Sequence, residues 1–305
     1  MNVIEVNNLV KKYNGITAVN DVSFAVQKGS IFGMLGPNGA GKSTTIECII
    51  GLKKRDNGEV RILGLDPKLD NRKLYDMIGV QLQETSYQDK IKVYELCELF
   101  ESMYENPLDY KSLLERFGLI EKSKSYVSQL SGGQRQKIAI ILALISNPKI
   151  IFLDELTTGL DPKSRREMWE CVKELRNEGR TIFMTTHYME EAAYLCDQIC
   201  IIDEGKIATI DTIDGVIEHA DIDTLITFET KEDVMDLINE EISGISRIEK
   251  HNDTINIFSK REDLITDLVI LMKDKRIKYK KINILRPGLE DAFLKLTGKT
   301  WKGEM

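Results

Sequence analysis

Short apolar segments alternate with amphipathic segments along most of the first 215 residues of the chain. IFGML at 31–35 and IIFL at 150–153 are largely apolar runs, the pattern of strands buried on both faces of a parallel sheet. REMWECVKELRN, residues 166–177, instead repeats its apolar side chains at helical spacing. Strands that alternate with helices in this way predict a mostly parallel sheet with helices on both faces.

Two regions within this part depart from the alternation. Residues 1–32 contain segments rich in β-branched residues and interrupted by glycine, which predicts short β-strands. Residues 90–126 carry two amphipathic helical patterns with no strand between them. We therefore predict a helical subdomain at about residues 85–135.

The pattern changes again near residue 219. From there the chain predicts strand, helix, strand, strand, helix and strand, which is the order of a ferredoxin-like unit. Its strand segments LITF, INIF and INIL can form one buried face beneath the two amphipathic helices. The sequence thus predicts two domains, residues 1–218 and residues 219–305, of which the second is a small α+β domain.

Composition and charge restrict the possible functions. The 305 residues are 42% hydrophobic and 30% charged, which provides sizeable cores and excludes a mostly disordered chain. The net charge of −7 disfavours nucleic-acid binding, since phosphate contacts need clustered Lys and Arg. The longest apolar run, IAIILALI at 138–145, is too short to cross a bilayer, and Glu5 interrupts any signal peptide. We expect a cytosolic protein without a membrane span.

A glycine-rich segment follows the first apolar strand and precedes a helical pattern. GPNGAGKST, residues 36–44, fits the phosphate-binding pattern G-x-x-x-x-G-K-[ST]. Its glycines allow successive backbone N–H groups to point at phosphates, and the helix N-terminus adds partial positive charge. Lys42 is expected to reach the β- and γ-phosphates of a nucleotide, and the Ser43 hydroxyl to bind Mg²⁺.

Two carboxylates end the second apolar strand. Asp154 and Glu155 follow IIFL directly. Ligands of parallel sheets bind beyond the carboxyl ends of the strands, so both side chains should lie near the phosphate loop. One carboxylate can hold Mg²⁺ through water while the other polarises the attacking water.

A second candidate anion site precedes the long apolar helix. In LSGGQ, residues 130–134, Ser131 is a plausible helix N-cap, and two glycines expose backbone N–H groups at the helix start. The alternative interpretation is a flexible capping turn. Two phosphate-binding elements in one chain suggest that one nucleotide is shared between two copies of the protein.

Five motifs follow one another along the chain: the phosphate loop, LSGGQ, the strand ending in Asp-Glu, GLD and a strand ending in His. In this order they resemble the ATP-binding subunit of ABC transporters. The resemblance covers residues 2 to about 215. It implies an α/β P-loop NTPase core of the RecA-like type, with an antiparallel β subdomain and a helical subdomain. It also implies ATP and Mg²⁺ as ligands and ATP hydrolysis coupled to transport.

The same resemblance implies a role for each matching residue. The phosphate loop is Gly36, Pro37, Asn38, Gly39, Ala40, Gly41, Lys42, Ser43 and Thr44, and the turn that closes on the γ-phosphate of the opposite subunit is Ser131, Gly132, Gly133 and Gln134. Tyr13 corresponds to the aromatic residue that stacks on adenine, and Asp161 to the loop that communicates between subunits. Asp154 corresponds to a Mg²⁺ ligand.

Three further positions correspond to the reacting end of the nucleotide. Glu155 matches the general base and His187 matches the switch histidine. Gln83 matches the glutamine that contacts Mg²⁺ and senses the membrane partner, although Gln81 lies two residues earlier on the same strand face. The family's usual Pro after the catalytic Glu is Leu156 here, which removes no chemical group. Leu82 also stands where the family commonly has Pro.

The C-terminal segment LEDAFLKLTG, residues 289–298, resembles the ending of subunits that drive ABC-2-type exporters of drugs, antibiotics, lipids or ions. We therefore expect an ATPase subunit that dimerises around two MgATP, as a homodimer or with a paired ATPase subunit. It would power a separate ABC-2-type permease, lie on the inner face of the cell membrane and bind no nucleic acid.

Two alternatives remain at this stage. A soluble ABC ATPase acting on ribosomes or nucleic acid would have a second phosphate loop, or a long coiled coil between Lys42 and Asp154, and neither feature occurs in the sequence. A monomeric P-loop enzyme, such as a small-molecule kinase, would leave LSGGQ without a purpose.

Overall fold

The computed structural model describes residues 1–83, 87, 88 and 90–299, and it divides them into two compact units. The first unit contains residues 1–213 and the second begins at Asp214. The domain boundary predicted at residue 218 falls inside the helix Ile213–Ala220. Residues 85, 86 and 89 of the predicted helical subdomain, and residues 300–305 of the predicted second domain, lie outside the described residues.

The first unit contains two sheets. Three antiparallel strands have the order β2-β1-β4, namely β1 (Asn2–Tyr13), β2 (Ile16–Gln27) and β4 (Asn57–Ile62). The larger sheet has the order β5-β6-β7-β3-β8-β9, formed by β3 (Ile31–Leu35), β5 (Ile78–Gln81), β6 (Ile150–Asp154), β7 (Thr181–Thr186), β8 (Gln198–Asp203) and β9 (Lys206–Asp211). Its neighbouring strands are parallel except at β9, which pairs antiparallel with β8.

Helices surround the larger sheet. They are α1 (Lys42–Ile49), α2 (Asn71–Tyr75), α3 (Val93–Glu101), α4 (Tyr110–Arg116), α5 (Gly132–Ile145), α6 (Pro162–Asn177) and α7 (Met189–Leu195), with short 3₁₀ turns at Ile120–Lys122 and Val127–Gln129. Helix α8 (Ile213–Ala220) begins at the boundary between the units. The mostly parallel sheet, the antiparallel β sheet and the helical segment of the predicted fold are thus confirmed. The first strands are 12 residues long rather than short, because β-bulges accommodate their polar interruptions.

The core of the larger sheet is a row of aromatic rings. Phe152, Phe183 and Phe32 lie side by side on β6, β7 and β3, with ring centroids 5.5–5.6 Å apart. Phe24 from the smaller sheet stacks on Phe32 at 5.1 Å. This packing fixes the register of the three central strands, so that their carboxyl ends open at one edge.

The second half of helix α5 is apolar on every side because it is buried on every side. All eight residues from Ile138 to Ile145 are buried. The helix lies against β5, where a side chain at Gly79 would place its first carbon 2.1 Å from the carbonyl oxygen of Ala143. Only glycine permits this approach of helix backbone to strand backbone. In the described part of the chain, no helix has both the length and the apolarity that a membrane crossing requires.

The second unit has the predicted β-α-β-β-α-β order. Its elements are β10 (Thr224–Glu229), α9 (Met235–Glu241), β11 (Ile245–His251), β12 (Thr254–Ser259), α10 (Leu264–Asp274) and β13 (Lys280–Leu285), followed by α11 (Leu289–Thr297). The sheet is antiparallel with the order β11-β12-β10-β13. LITF and INIF contribute buried residues to its core, but Ile284 and Leu285 of INIL are 44% and 56% exposed. INIL adds only the partly buried Ile282 to this core, so the predicted buried face is formed mainly by LITF and INIF.

Candidate active site

The loop from β3 to α1 surrounds the ammonium group of Lys42. Its Nζ donates hydrogen bonds to the carbonyl oxygens of Gly36, at 2.9 Å, and Pro37, at 3.1 Å, and the residue is only 4% exposed. Gly41 has φ 102°, and a first side-chain carbon there would lie 2.4 Å from the carbonyl oxygen of Ala18. The loop therefore needs glycine at Gly41 both for its backbone conformation and for its packing.

Asp154 lies at the carboxyl end of β6, beside the start of α1. Its Oδ1 accepts hydrogen bonds from the Ser43 hydroxyl, at 3.3 Å, and from the hydroxyl of Thr185 on β7. Burial raises the pKa of this carboxyl, and the two hydroxyl contacts oppose that rise. A carboxylate and a hydroxyl are hard oxygen ligands of the kind Mg²⁺ prefers, so these two side chains fit the ion expected beside a nucleotide's phosphates.

Glu155 is the most highly connected carboxylate of the site. Its Oε1 lies 3.2 Å from Lys42 Nζ, and its Oε2 accepts a hydrogen bond from Gln83 Nε2 at 2.9 Å. His187 Nδ1 lies 3.4 Å from the same Oε2. The contact with His187 and the charge of Lys42 lower the pKa of Glu155 to about 2, although burial acts in the opposite direction.

The backbone of Glu155 holds the side chain in this position. Its φ is 49°, in the left-handed region that non-glycine residues seldom adopt. The amide N–H donates to the hydroxyl of Thr185, at 3.1 Å, and lies 3.2 Å from the carbonyl oxygen of that residue. An unfavourable conformation maintained by neighbouring strands is common where function requires one orientation of a side chain.

Lys42, Ser43, Gln83 and Glu155 border one open cavity of about 250 Å³, whereas Asp154 and His187 are not among the residues that line it. The lining residues are Ala18, Asn38, Gly39, Gly41, Lys42, Ser43, Thr44, Gln83 and Glu155. The structure thus brings together the phosphate loop and two residues that are far from it in sequence. Ala40, although part of the same loop, is 3% exposed and packs in the core instead.

Tyr13 lies at the end of β1, beside two cations. The Lys11 and Lys53 ammonium groups are 5.0 Å and 5.6 Å from its ring centroid, and the residue is 37% exposed. A half-exposed ring with a positively charged surround can stack on a nucleobase. The predicted adenine contact remains a prediction.

The signature turn, which consists of Ser131, Gly132, Gly133 and Gln134, forms a separate surface. Ser131 caps α5, with its Oγ accepting from the Gln134 N–H at 3.3 Å while Gln134 Oε1 accepts from the Ser131 N–H at 3.0 Å. A first side-chain carbon on Gly133 would lie 3.1 Å from the hydroxyl of Ser164, so the turn adjoins the start of α6. None of the four residues of this turn is among the described residues that line the cavity around Lys42.

Asp161 caps helix α6 next to this turn. Its carboxylate accepts hydrogen bonds from the Ser164 hydroxyl, at 2.6 Å, and from the N–H groups of Lys163 and Ser164. The Ser164 hydroxyl is the main cause of a lowered pKa for this carboxyl. Asp161 is exposed and does not reach the Lys42 cavity.

Sequence reasoning did not identify Thr185 and Ala18, and it left Gln81 open as an alternative to Gln83. Gln81 is 2% exposed and donates to the backbone oxygen of Leu82, at 2.7 Å, so only Gln83 reaches Glu155. Two threonines at the end of the apolar strand β7 were a usable signal for Thr185, since polar residues at that position face the ligand edge.

The sequence profile of the family described as ABC transporter matches residues 19–158. Linearmycin resistance ATP-binding protein LnrL of Bacillus subtilis (strain 168) is 33% identical over 98% of this chain and 99% of its own length. Daunorubicin resistance ATP-binding protein DrrA2 of Streptomyces coeruleorubidus is 31% identical over 94% of this chain and 92% of its own length. Nod factor export ATP-binding protein I of Ralstonia nicotianae is 31% identical, covering 97% and 94% respectively.

Solved structures agree with these relatives. An ATP-binding subunit of an ABC transporter has a TM-score of 0.65 at 28% identity and covers 71% of this chain and 92% of its own. A bacterial ABC transporter cassette solved as a dimer has a TM-score of 0.62 at 28% identity, covering 68% of this chain and 98% of its own.

Proposed function

The chain belongs to the ABC transporter family as an ATP-binding subunit with ATPase activity, and from that premise we propose that two copies of it bind two MgATP between them and drive a separate ABC-2-type permease. The observation that carries the proposal is the convergence of Lys42, Gln83 and Glu155 on one cavity, while the signature turn faces solvent elsewhere. The protein would act on the cytoplasmic face of the cell membrane.

Lys42 and the phosphate loop bind and orient the nucleotide in this proposal. The Lys42 ammonium group contributes a point charge to the β- and γ-phosphates, and the α1 N-terminus adds backbone N–H groups. Ser43 and Asp154 would hold Mg²⁺, with Gln83 beside them. When bound, Mg²⁺ neutralises charge on the phosphate oxygens.

Glu155 is the proposed general base. Its carboxylate is ionised at neutral pH, and Gln83 and His187 orient it from two sides. Its low pKa makes it a weak base while Lys42 lies 3.2 Å away. An entering γ-phosphate competes with Glu155 for the Lys42 ammonium group. Nucleotide binding therefore weakens the ion pair between Lys42 and Glu155, which raises the pKa of Glu155 and makes it a stronger proton acceptor. Charge pairing in the site therefore links base strength to the presence of substrate.

The signature turn is proposed to complete the site of a second copy. The turn presents the N–H groups of Gly132 and Gly133 at the N-terminus of the 14-residue helix α5, while Ser131 and Gln134 form its capping box. Asp161 caps the adjoining helix α6. A helix N-terminus of this kind binds anions. Two copies arranged head to tail around a two-fold axis would place each turn against the other copy's γ-phosphate.

An apolar groove on the first unit is the proposed contact for the permease. It has a volume of about 510 Å³. Its lining residues come from β5, α2, α3 and α5 and from the segments that follow α1, β5 and α3; they include Leu52, Tyr75, Leu82, Phe100 and Met103. Leu52 and Met103 are 53% and 60% exposed, which is unusual for large apolar side chains unless they meet a partner. Leu82 directly precedes Gln83, so an occupant of the groove lies one residue from the active site.

The direction and the cargo class rest on the relatives. Two of them are named for resistance to linearmycin and daunorubicin and one for Nod factor export, and they match this chain over nearly its full length. We infer export of a drug-like, antibiotic, lipid or ionic cargo. The unit that begins at Asp214 would be an accessory domain, because its described residues contain neither a phosphate loop nor a candidate metal cluster.

Co-purification from native membranes tests the proposal. Tagged protein carrying Glu155→Gln, held with ATP, is extracted in mild detergent and its partners are identified by mass spectrometry. A multi-span membrane protein in stoichiometric amount is the expected result. Ribosomal proteins or nucleic acid in its place would overturn the transport function.

The groove is tested in the same experiment. Met103→Glu places a charge in the groove and, combined with Glu155→Gln, should abolish recovery of the membrane protein. In the protein that keeps Glu155, Met103→Glu should leave ATP hydrolysis by the free subunit intact. Leu69→Glu is the matched control, since Leu69 is 75% exposed and lies outside the groove. Equal recovery with both variants would contradict the assignment of the groove.

A further inference from the structure

Glu191 is a fully buried acid close to the candidate active site but without contact to the cavity. It lies on α7, four residues after His187, and is 1% exposed. Burial raises the pKa of its carboxyl, while hydrogen bonds from surrounding side chains oppose the rise. A buried carboxyl is costly to a fold unless its oxygens are well bonded, so its partners indicate what it does.

The partners of Glu191 come from two other segments. Its Oε1 accepts a hydrogen bond from the Thr157 hydroxyl at 2.7 Å, and Thr157 is fully buried two residues after Glu155. The same oxygen accepts from Trp169 Nε1 at 2.9 Å. Trp169 lies on α6, the helix that Asp161 caps.

One carboxyl thereby joins the three segments that supply the reacting residues. Thr157 belongs to the turn after Glu155, Trp169 to the helix after Asp161, and Glu191 itself to the helix after His187. A second contact reinforces the connection, since the Arg165 guanidinium of α6 lies 4.2 Å over the ring of Tyr188, next to His187. None of these contacts is local in sequence.

We infer that Glu191 is a positioning residue for ATP hydrolysis, which sets the turn of Glu155 and the turn of His187 at a fixed distance from each other. The inference rests on the proposed function of Glu155 and His187. Glu191 touches neither the nucleotide site nor the reacting groups. Its effect is on the placement of the base, where an error of about 1 Å can cost roughly 10²-fold in rate.

The test separates turnover from nucleotide binding. Glu191→Leu removes the acceptor, and we expect kcat to fall by about 10–100-fold. KM for ATP and the affinity measured by ATP titration should change little, because Lys42 and its loop do not contact Glu191. Glu191→Gln keeps one carbonyl oxygen for Thr157 and Trp169, so it should restore most of kcat. Glu190→Gln, an exposed neighbour on the same helix, is the control.

Two further variants keep the test decisive if Glu191→Leu does not fold. Thr157→Val removes the hydroxyl donor and keeps the shape of the side chain, whereas Trp169→Phe removes the Nε1 donor together with one ring of the indole. Each should lower kcat without changing ATP affinity, and Thr157→Val is the cleaner of the two. Turnover is expressed per mole of protein that binds ATP, so that unfolded protein does not lower the measured kcat. Unchanged kcat in the donor variants, or equal losses in kcat and ATP affinity, would show that Glu191 is only structural.

Glu155→Gln is measured beside these variants. If it turns over normally, the assignment of Glu155 as base fails. If it is inactive while the Glu191 and donor variants retain full kcat, the positioning role alone fails.

Discussion

The two glycine-rich turns of the first unit both precede a helix N-terminus, yet their surroundings differ. The turn before α1 contains the buried Lys42, which already contacts Glu155. The turn before α5 is exposed, and Ser131 and Gln134 satisfy each other in a capping box. The first turn therefore has candidate catalytic groups within its own chain, whereas the described residues around the second turn do not line the Lys42 cavity. Under the proposed function, similar local chemistry would serve nucleotide binding in the first turn and completion of a neighbour's site in the second.

Lys42→Ala should have the largest effect, because it removes the only ammonium group that lines the described cavity. We expect both productive ATP binding and hydrolysis to be lost, since no lining residue can replace the charge against the β- and γ-phosphates. ATP titration and turnover measure this. Lys137→Ala, at an exposed pair with Glu167, should retain both. Unchanged ATP affinity and turnover in Lys42→Ala would show that the first turn has only a structural role.

Glu155→Gln should separate ATP binding from ATP hydrolysis, two steps that Lys42→Ala abolishes together. The amide preserves shape, so ATP binding should persist, but it cannot accept the proton of water, and hydrolysis should fall by roughly 10²–10⁴-fold. ATP should then hold the two copies together, which size-exclusion chromatography detects. The matched control is Glu174→Gln on the exposed face of α6. Near-normal turnover would remove Glu155 as the base.

Ser131→Arg should act on the partner copy rather than on its own. The monomer should bind ATP normally, while the arginine blocks the turn from the other copy's γ-phosphate. An isolated heterodimer of Ser131→Arg with Lys42→Ala has both lesions at one site and should keep about half of wild-type activity from the other. Activity no higher than in either homodimer would contradict independent shared sites.

Ser131→Ala controls for the helix cap in that experiment. Both substitutions remove the capping oxygen and should cost about 1 kcal/mol in the free energy of unfolding. A larger loss in Ser131→Arg alone would mean that the arginine damages the fold.

Acid should reveal the smallest effect. The pKa of Glu155 is about 2, below its ordinary 4.5, so its ionised form stabilises the folded chain above pH 4.5. That stabilisation is lost as the pH falls from 4.5 toward 2. The difference in Tm between wild type and Glu155→Gln, without nucleotide, should be constant above about pH 5 and change progressively below it. A difference independent of pH would exclude the pairing with Lys42 and His187.

Local patterns predicted what depends on neighbours in sequence. The phosphate loop, the Asp154-Glu155 pair and the strands that precede them follow from contiguous residues, as do the elements of the second unit. The contacts of Glu191 with Thr157 and Trp169 could not be predicted in this way, because they join residues 34 and 22 positions apart.

Side-chain positions at the ends and edges of strands were also difficult to predict from the sequence. Alternation placed Gln81 and Gln83 on one face, but β5 ends at Gln81, and beyond it the side chain of Gln83 turns to Glu155. Leu285 pairs with Leu225 on the face of the sheet opposite to the buried Ile226 and Phe228, and Ile284 lies on the edge strand β13. Strand order is not encoded in apolar spacing.

The approach of α5 to β5 at Gly79 has a mechanical consequence. Backbone meets backbone there, and Ser146 and Lys149, just after α5, donate hydrogen bonds to the carbonyl oxygens of Ile78 and Met77. At Gly79 the strand has no side chain that could separate it from the backbone of α5. If the permease occupies the groove as proposed, a displacement of β5 at this contact would also displace α5, and the two elements lead to Gln83 and to the signature turn respectively. The close contact of the two backbones would then decide how much of a partner's movement reaches the nucleotide site.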